Sequence, residues 1–191
     1  MDQRLRTFIA VELNPAFRQE LARVTEKIKE SRADVKWVKA DNTHITLKFL
    51  GSLLPKKIKA IIGILPEMYD GIQPFEIRLT ALGVFPNSRR PKVIWAGIDD
   101  DSGRLAALAE RTETSLCRLG FPKEHRAFSS HITLGRTRSF KNLNSLVQAM
   151  QETRPSAGIK QQVTSVTFFK STLTPKGPIY EPLHTQPLTN K

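Results

Sequence analysis

With Cys117 as its one cysteine, the chain has no partner for an internal disulfide, and the thiol sits among helix-like letters that suit a buried, inert side chain. No apolar run approaches the length that crosses a bilayer. The opening MDQRLRTFIAVEL goes straight into a strand-like pattern and lacks the apolar block and small-residue cleavage site of a secretory signal. These absences lead us to expect a soluble cytoplasmic protein with no membrane contact. Also missing are the phosphate-binding P-loop, GxGxxG, GxSxG and HExxH. Acidic side chains are scarce: 18 Asp and Glu stand against 30 Lys and Arg, a formal charge of +12. That excess favours a polyanionic partner, nucleic acid above all. The cations form no tail. They are spread along the chain with small clusters at Lys56-Lys57, at Arg89-Arg90 and from Arg136 to Arg138, so an anion site must be assembled by folding.

What is present comes twice. TFIAVEL (7–13) reads as a strand, and Asn14-Pro15 starts a helix carrying Phe17, Leu21, Val24 and Ile28 on one face. WVKADNTHITLKFLG reads as a strand within a hairpin, Pro55 opens a helix with Ile58, Ile61, Ile62 and Leu65, and FEIRLTALGVF (75–85) is again strand-like. The order repeats with VIWAGID (93–99), a helix through Leu105, Leu108, Thr112, Leu116 and Leu119, the strand FSSHITLGR, a helix through Leu143, Leu146, Val147 and Met150, and VTSVTFFKSTL (163–173). The opening strands, from 7 and 93, lie 86 positions apart; His44 and His131 lie 87 apart, as do the closing patterns from 76 and 163. We expect an α+β fold: a bilobal, pseudo-two-fold duplication of a β-α-β-α-β unit, with mainly antiparallel sheets facing a central cleft. Residues 1–191 would form one bilobal domain, with a first repeat of about 5–86, a second of about 92–173 and a closing hairpin strand over 174–185. FPNSRRPK (85–92) would be the joint.

Only four histidines occur, and two of them head the same four letters, HITL, at His44 and His131. Strand side chains alternate between faces, so His44 and Thr46 share one face while Ile45, Leu47 and Phe49 share the other, and His131 and Thr133 likewise oppose Ile132 and Leu134. On this pattern Phe49 is a core residue. Each His and its Thr would have Cα atoms about 6.5–7 Å apart, which suits convergence on one small ligand. If the lobes are related by an approximate two-fold axis, two imidazoles face each other across the cleft. A neutral imidazole can activate water and a protonated one can protonate a leaving oxygen, which together perform displacement at phosphorus without a metal. Threonine hydroxyls and nearby cations can donate to the non-bridging oxygens.

Other uses of these residues are weaker. A structural zinc site normally takes four protein ligands and a catalytic one three, and no Cys pair or HExxH supplies them, although His125 or Asp99 to Asp101 could be drawn in. The acidic triplet fits better as negative charge near a helix start. A non-catalytic RNA-binding protein, or a phosphodiesterase for a small cyclic nucleotide or a 2′-5′ oligonucleotide, would use the same cleft.

The paired HITL motifs, with RTFIAVEL at the start, the basic-proline segment before VIWAGI, and the closing STLTPKGPIYEPL, resemble the two-histidine (2H) phosphoesterase superfamily over nearly the whole chain. The likeness is closest to its RNA 2′,3′-cyclic phosphodiesterase branch, also known as 2′-5′ RNA ligases. The resemblance implies metal-independent, cofactor-free opening of a 2′,3′-cyclic phosphate at an RNA end to a 2′-phosphate, with 2′-5′ ligation as an accompanying activity; nothing in the sequence demands more than a monomer. It implies His44 as proton donor and His131 as proton acceptor, with Thr46, Thr133 and Arg136 as phosphate ligands. Arg136 has the wrong alternation for a regular strand. A bulge near Gly135 would bring it to the site; otherwise Arg138 would serve. Lys48 shares the alternation of His44 and is a lesser candidate. Trp37, Phe128 and Tyr180 are candidates for base contacts, and Ser171 for a contact from the closing hairpin.

Overall fold

The computed structural model describes residues 4–189. In chain order the elements are β1 (Leu5–Glu12), α1 (Pro15–Lys29), β2 (Val35–Trp37), a 3-10 turn (Ala40–Asn42), β3 (His44–Leu53), α2 (Pro55–Met68), β4 (Phe75–Phe85), β5 (Val93–Asp99), α3 (Arg104–Arg118), β6 (His131–Thr137), α4 (Leu143–Glu152), β7 (Lys160–Val163), β8 (Ser165–Thr174) and β9 (Gly177–Pro187). The first helix begins as its letters require: Asn14 Oδ1 accepts the Phe17 N–H at 2.8 Å, and Pro15 follows where its missing donor costs nothing.

All described strands join one antiparallel sheet in the order β7-β4-β5-β6-β3-β1-β8-β9, with β2 paired to β6 as well. The fold class is therefore the α+β, antiparallel one expected. The two halves of the sheet meet where β3 and β6 share a single registered pair, Ile45 with Ile132. The two residues of this pair are equivalent in the repeat, 87 positions apart. From it the strands diverge, and a cleft opens on one face.

The sequence repeats are not the halves in space. β4 closes the first repeat yet pairs with β5, and β8 closes the second yet pairs with β1. Each closing strand is thus exchanged into the opposite half. As a result FPNSRRPK is not a joint between lobes. It forms the tip of the β4–β5 hairpin, where Asn87 Oδ1 accepts from the Arg89 and Arg90 N–H groups, each at 3.1 Å. The Trp37 strand, expected in a hairpin with β3, pairs with β6 instead.

The main core lies between the sheet and the helices and runs without a break through Phe17, Leu21, Ile45, Ile94, Ile132 and Phe168. α2 and α3 are linked inside it by Tyr69 Oη and Thr112 Oγ1, both buried, at 2.8 Å. A second, small cluster on the opposite face contains Phe8, Ala10 and Phe169 with Tyr180 packed on it. No described helix is long and apolar enough to cross a membrane.

Candidate active site

His44 and His131 each begin a strand, β3 and β6. Antiparallel register about Ile45 and Ile132 sets His44 on the Thr133 side and Thr46 on the His131 side. The histidines thus lie on a diagonal, which in an antiparallel pair spans about 7–8 Å. They are near enough that charge on His131 lowers the pKa of His44. The two His-x-Thr faces are therefore brought together at the junction of the halves.

Both rings are held alike. His44 Nδ1 donates to the Asn42 carbonyl at 2.9 Å, and His131 Nδ1 donates to the Ser129 carbonyl at 2.7 Å. A carbonyl can only accept, so Nδ1 carries the hydrogen in each ring and Nε2 is left for chemistry. The surroundings differ. His44 packs against Phe8 at 4.7 Å between ring centres and meets Tyr180 edge-on at 5.3 Å. That enclosure strips water from the ring, and burial pushes its pKa down to about 4, with the His131 charge adding to the fall and the Asn42 carbonyl opposing it. His131 instead meets Phe85 edge-on at 5.2 Å and lines an open cleft of about 780 Å³.

Strand alternation breaks at the same letter of both motifs. Ile9 pairs with Lys48 and Ala10 with Thr46, so Leu47 is an extra residue in β3; Ile94 pairs with Gly135 and Trp95 with Thr133, so Leu134 is the extra residue in β6. Beyond each bulge the faces exchange. In β6 this turns Arg136 into the cleft, as a bulge near Gly135 requires. Arg138 lies past the strand end, exposed and outside the cleft lining, with its N–H bonded to the Asp34 carbonyl at 2.8 Å.

In β3 the same device overturns two expectations. Lys48 does not turn its ammonium toward His44. It is 3% exposed, and Nζ reaches the Glu113 carboxylate at 2.6 Å and the Pro122 carbonyl at 2.9 Å. Phe49 is not core. It is 56% exposed and lines the cleft beside Thr46. The sequence carries the signal, because 49 and 136 differ by the 87 positions of the repeat. A bulge invoked for Arg136 applies equally to Phe49.

The other expected contacts separate. Phe128 lines the cleft. Tyr180 covers His44, and Ser171 is buried opposite it in the β8–β9 register. Trp37 leaves the site: it pairs with Gly135, and a Cβ added there would sit 2.9 Å from the indole, on the face opposite Arg136. Lys92 and Arg126 join the lining unforeseen, since a hairpin tip and an irregular loop carry no period to read. Among the described residues no three His, Cys, Asp or Glu side chains gather as a metal site. The acidic triplet is otherwise engaged: Asp99 and Asp101 pair with Arg78, and Asp100 accepts the Leu105 N–H at the start of α3.

The chain thus carries two matched His-x-Thr strands at the junction of a duplicated antiparallel sheet, with His131, Thr46, Thr133 and Arg136 lining the cleft and His44 enclosed beside it by Phe8 and Tyr180. The model of the LigT like phosphoesterase family matches twice, over residues 11–95 and 97–180, and the chain belongs to that family. An RNA 2′,3′-cyclic phosphodiesterase of Methanothermobacter thermautotrophicus is 32% identical over 177 residues, covering 93% of this chain and 95% of the relative. A solved structure from Thermus thermophilus superposes with a TM-score of 0.81 at 26% identity, covering 98% of this chain and all of that one. Escherichia coli LigT complexed with 3′-AMP gives 0.75 at 27% identity, covering 98% and 99%.

Proposed function

We propose that the protein hydrolyses RNA 2′,3′-cyclic phosphate ends to 2′-phosphates by paired-histidine acid–base catalysis, without a metal. The observation that carries this reading is the matched tethering of both Nδ1 atoms to carbonyls, which frees two Nε2 atoms for one substrate. The names of the relatives support the substrate, and the +12 charge suits an RNA carrier.

The cyclic phosphate sits between the rings, with its non-bridging oxygens toward the Thr46 and Thr133 hydroxyls and the Arg136 guanidinium. His131 Nε2 takes a proton from water as the water oxygen bonds to phosphorus. The P–O3′ bond breaks, and His44 Nε2–H gives its proton to O3′, leaving phosphate on O2′. Burial keeps His44 neutral in the free protein. The substrate's own negative charge, brought against the ring, raises its pKa and loads the proton. A 5′-hydroxyl in place of water gives a 2′-5′ linkage by the same steps. We place this activity in a cytoplasmic monomer.

The test is an oligonucleotide ending in a 2′,3′-cyclic phosphate, incubated with the protein and a chelator. Ring opening to a 2′-phosphate is expected. A 3′-phosphate product, or no turnover until metal is restored, contradicts the reading.

A further inference from the structure

An exposed phenylalanine in a cleft leaves apolar surface in water, and nothing in the core requires Phe49 to be there. The Leu47 bulge turns the ring out and sends the Lys48 ammonium inward, where Glu113 holds it. The chain thus puts a ring where a regular strand would put a cation. The ring is also braced. Phe8 lies behind it at 5.9 Å between ring centres and stacks in turn on Phe169 at 5.1 Å, and both of these are buried.

Phe85 and Phe128 also line the cleft, and Lys92, Arg126 and Arg136 are interleaved with the rings. These three cations are exposed and make no ion pair among the described residues. Glu124 is the acidic member of the lining, and its N–H is tied to Glu113 at 2.8 Å. Braced rings alternating with free cations suit unpaired nucleic acid, whose bases stack on aromatic faces while its phosphates meet the charges. A base inside a duplex is already stacked on both sides and cannot lie on Phe49.

We propose that the cleft binds the unpaired 3′ end of an RNA strand, with the terminal base stacked on Phe49 and the phosphate 5′ to that nucleotide held by Lys92 and Arg126. The substrate class is then a single-stranded end of two or more nucleotides, in preference to a cyclic mononucleotide. The inference rests on the catalytic reading for the position of the terminal phosphate.

Binding tests it apart from turnover. The probe is a labelled single-stranded RNA ending in a 3′-phosphate, followed by fluorescence anisotropy. F49A should weaken binding about 5- to 100-fold, and F49W should bind at least as tightly as wild type. Removing the terminal base should bring wild type down to the F49A level and leave F49A unchanged. The K92A/R126A pair should lower the salt slope by about 0.7, because the two cations hold one phosphate and each neutralised single-strand phosphate contributes about 0.7. A probe whose 3′ end is folded into a hairpin stem should bind more weakly than the open strand. F49A equal to wild type, equal losses from F49A on the based and abasic probes, or equal binding of stem and open ends would each overturn the proposal. With the cyclic-phosphate substrate, F49A should raise KM while kcat stays within about threefold. If binding follows this pattern but wild type turns nothing over, the base site stands and the catalytic reading falls. If turnover holds and F49A changes neither binding nor KM, the base site alone falls.

Discussion

Phe49 and Arg136 occupy the same place in the two halves, each two residues beyond a one-residue bulge and each turned into the cleft by it. Equivalent backbone therefore presents a ring on one side of the histidine pair and a guanidinium on the other. R136A should cost roughly 10- to 100-fold in kcat/KM, the scale of a lost hydrogen bond to a charged group, with partial recovery in R136K. R138A, altered beyond the strand end, should stay within about twofold. Steady-state kinetics on all three variants checks this, and a larger loss in R138A would contradict the bulge-directed site.

His44 titrates low because its ring is shut in between Phe8 and Tyr180, and the consequence for stability has a definite sign. Between about pH 4 and 6.5 the unfolded chain protonates this histidine and the folded chain does not. Stability should therefore be complete above pH 6.5 and fall as the pH drops toward 4, by about 3 kcal/mol from this group. Denaturant unfolding of wild type and H44Q across that window should show the dependence weakened in the variant. Proton NMR should find the His44 ring titrating near 4, and its midpoint should rise when a phosphate monoester is added.

Lys48 and Glu113 form a buried pair that also holds the Pro122 carbonyl and the Glu124 N–H, on the loop leading to His131. Removing one partner leaves the other charge uncompensated, so K48M should cost about 3–5 kcal/mol. At roughly 2–4 °C per kcal/mol for a chain of this size, its melting point should fall by about 6–20 °C. K48M/E113L should regain most of that loss. Thermal denaturation decides between these results, and a double variant no better than the single one would show that the ion pair is not the source.

Gly83 lies under the Trp95 ring, where an added Cβ would come within 2.2 Å of the indole. Trp95 packs on Phe85 at 5.1 Å, and Phe85 meets His131. G83A should displace this stack, destabilise by about 1–3 kcal/mol and lower kcat, whereas G63A, with no neighbour within 4 Å of an added Cβ, should do neither.

The duplication, the fold class and the meeting of His44, Thr46, His131 and Thr133 are legible in the letters, because strand alternation and a repeated motif are local signals. Arg136 is legible once a bulge is admitted. Lys48 and Phe49 are misread when alternation is carried through β3 unbroken, although a bulge in one half implies one in the other. Trp37 is near His44 in sequence, but β2 crosses to β6 and presses the indole over Gly135 on the core side. The exchange of β4 and β8 between halves leaves no trace in a periodic pattern, since pairing partners are chosen by long-range packing. Lys92 and Arg126 sit on segments with no period at all.

The central claim is that two imidazoles act as one unit on a single phosphorus. It is tested by single-turnover rates on an RNA ending in a 2′,3′-cyclic phosphate, for H44A, H131A and H44A/H131A. Each single variant should lose about 10²–10⁴-fold or more, and the double variant little beyond either one, because an acid without its base does not complete the displacement. Full activity in either single variant, or losses that multiply independently in the double, would contradict it.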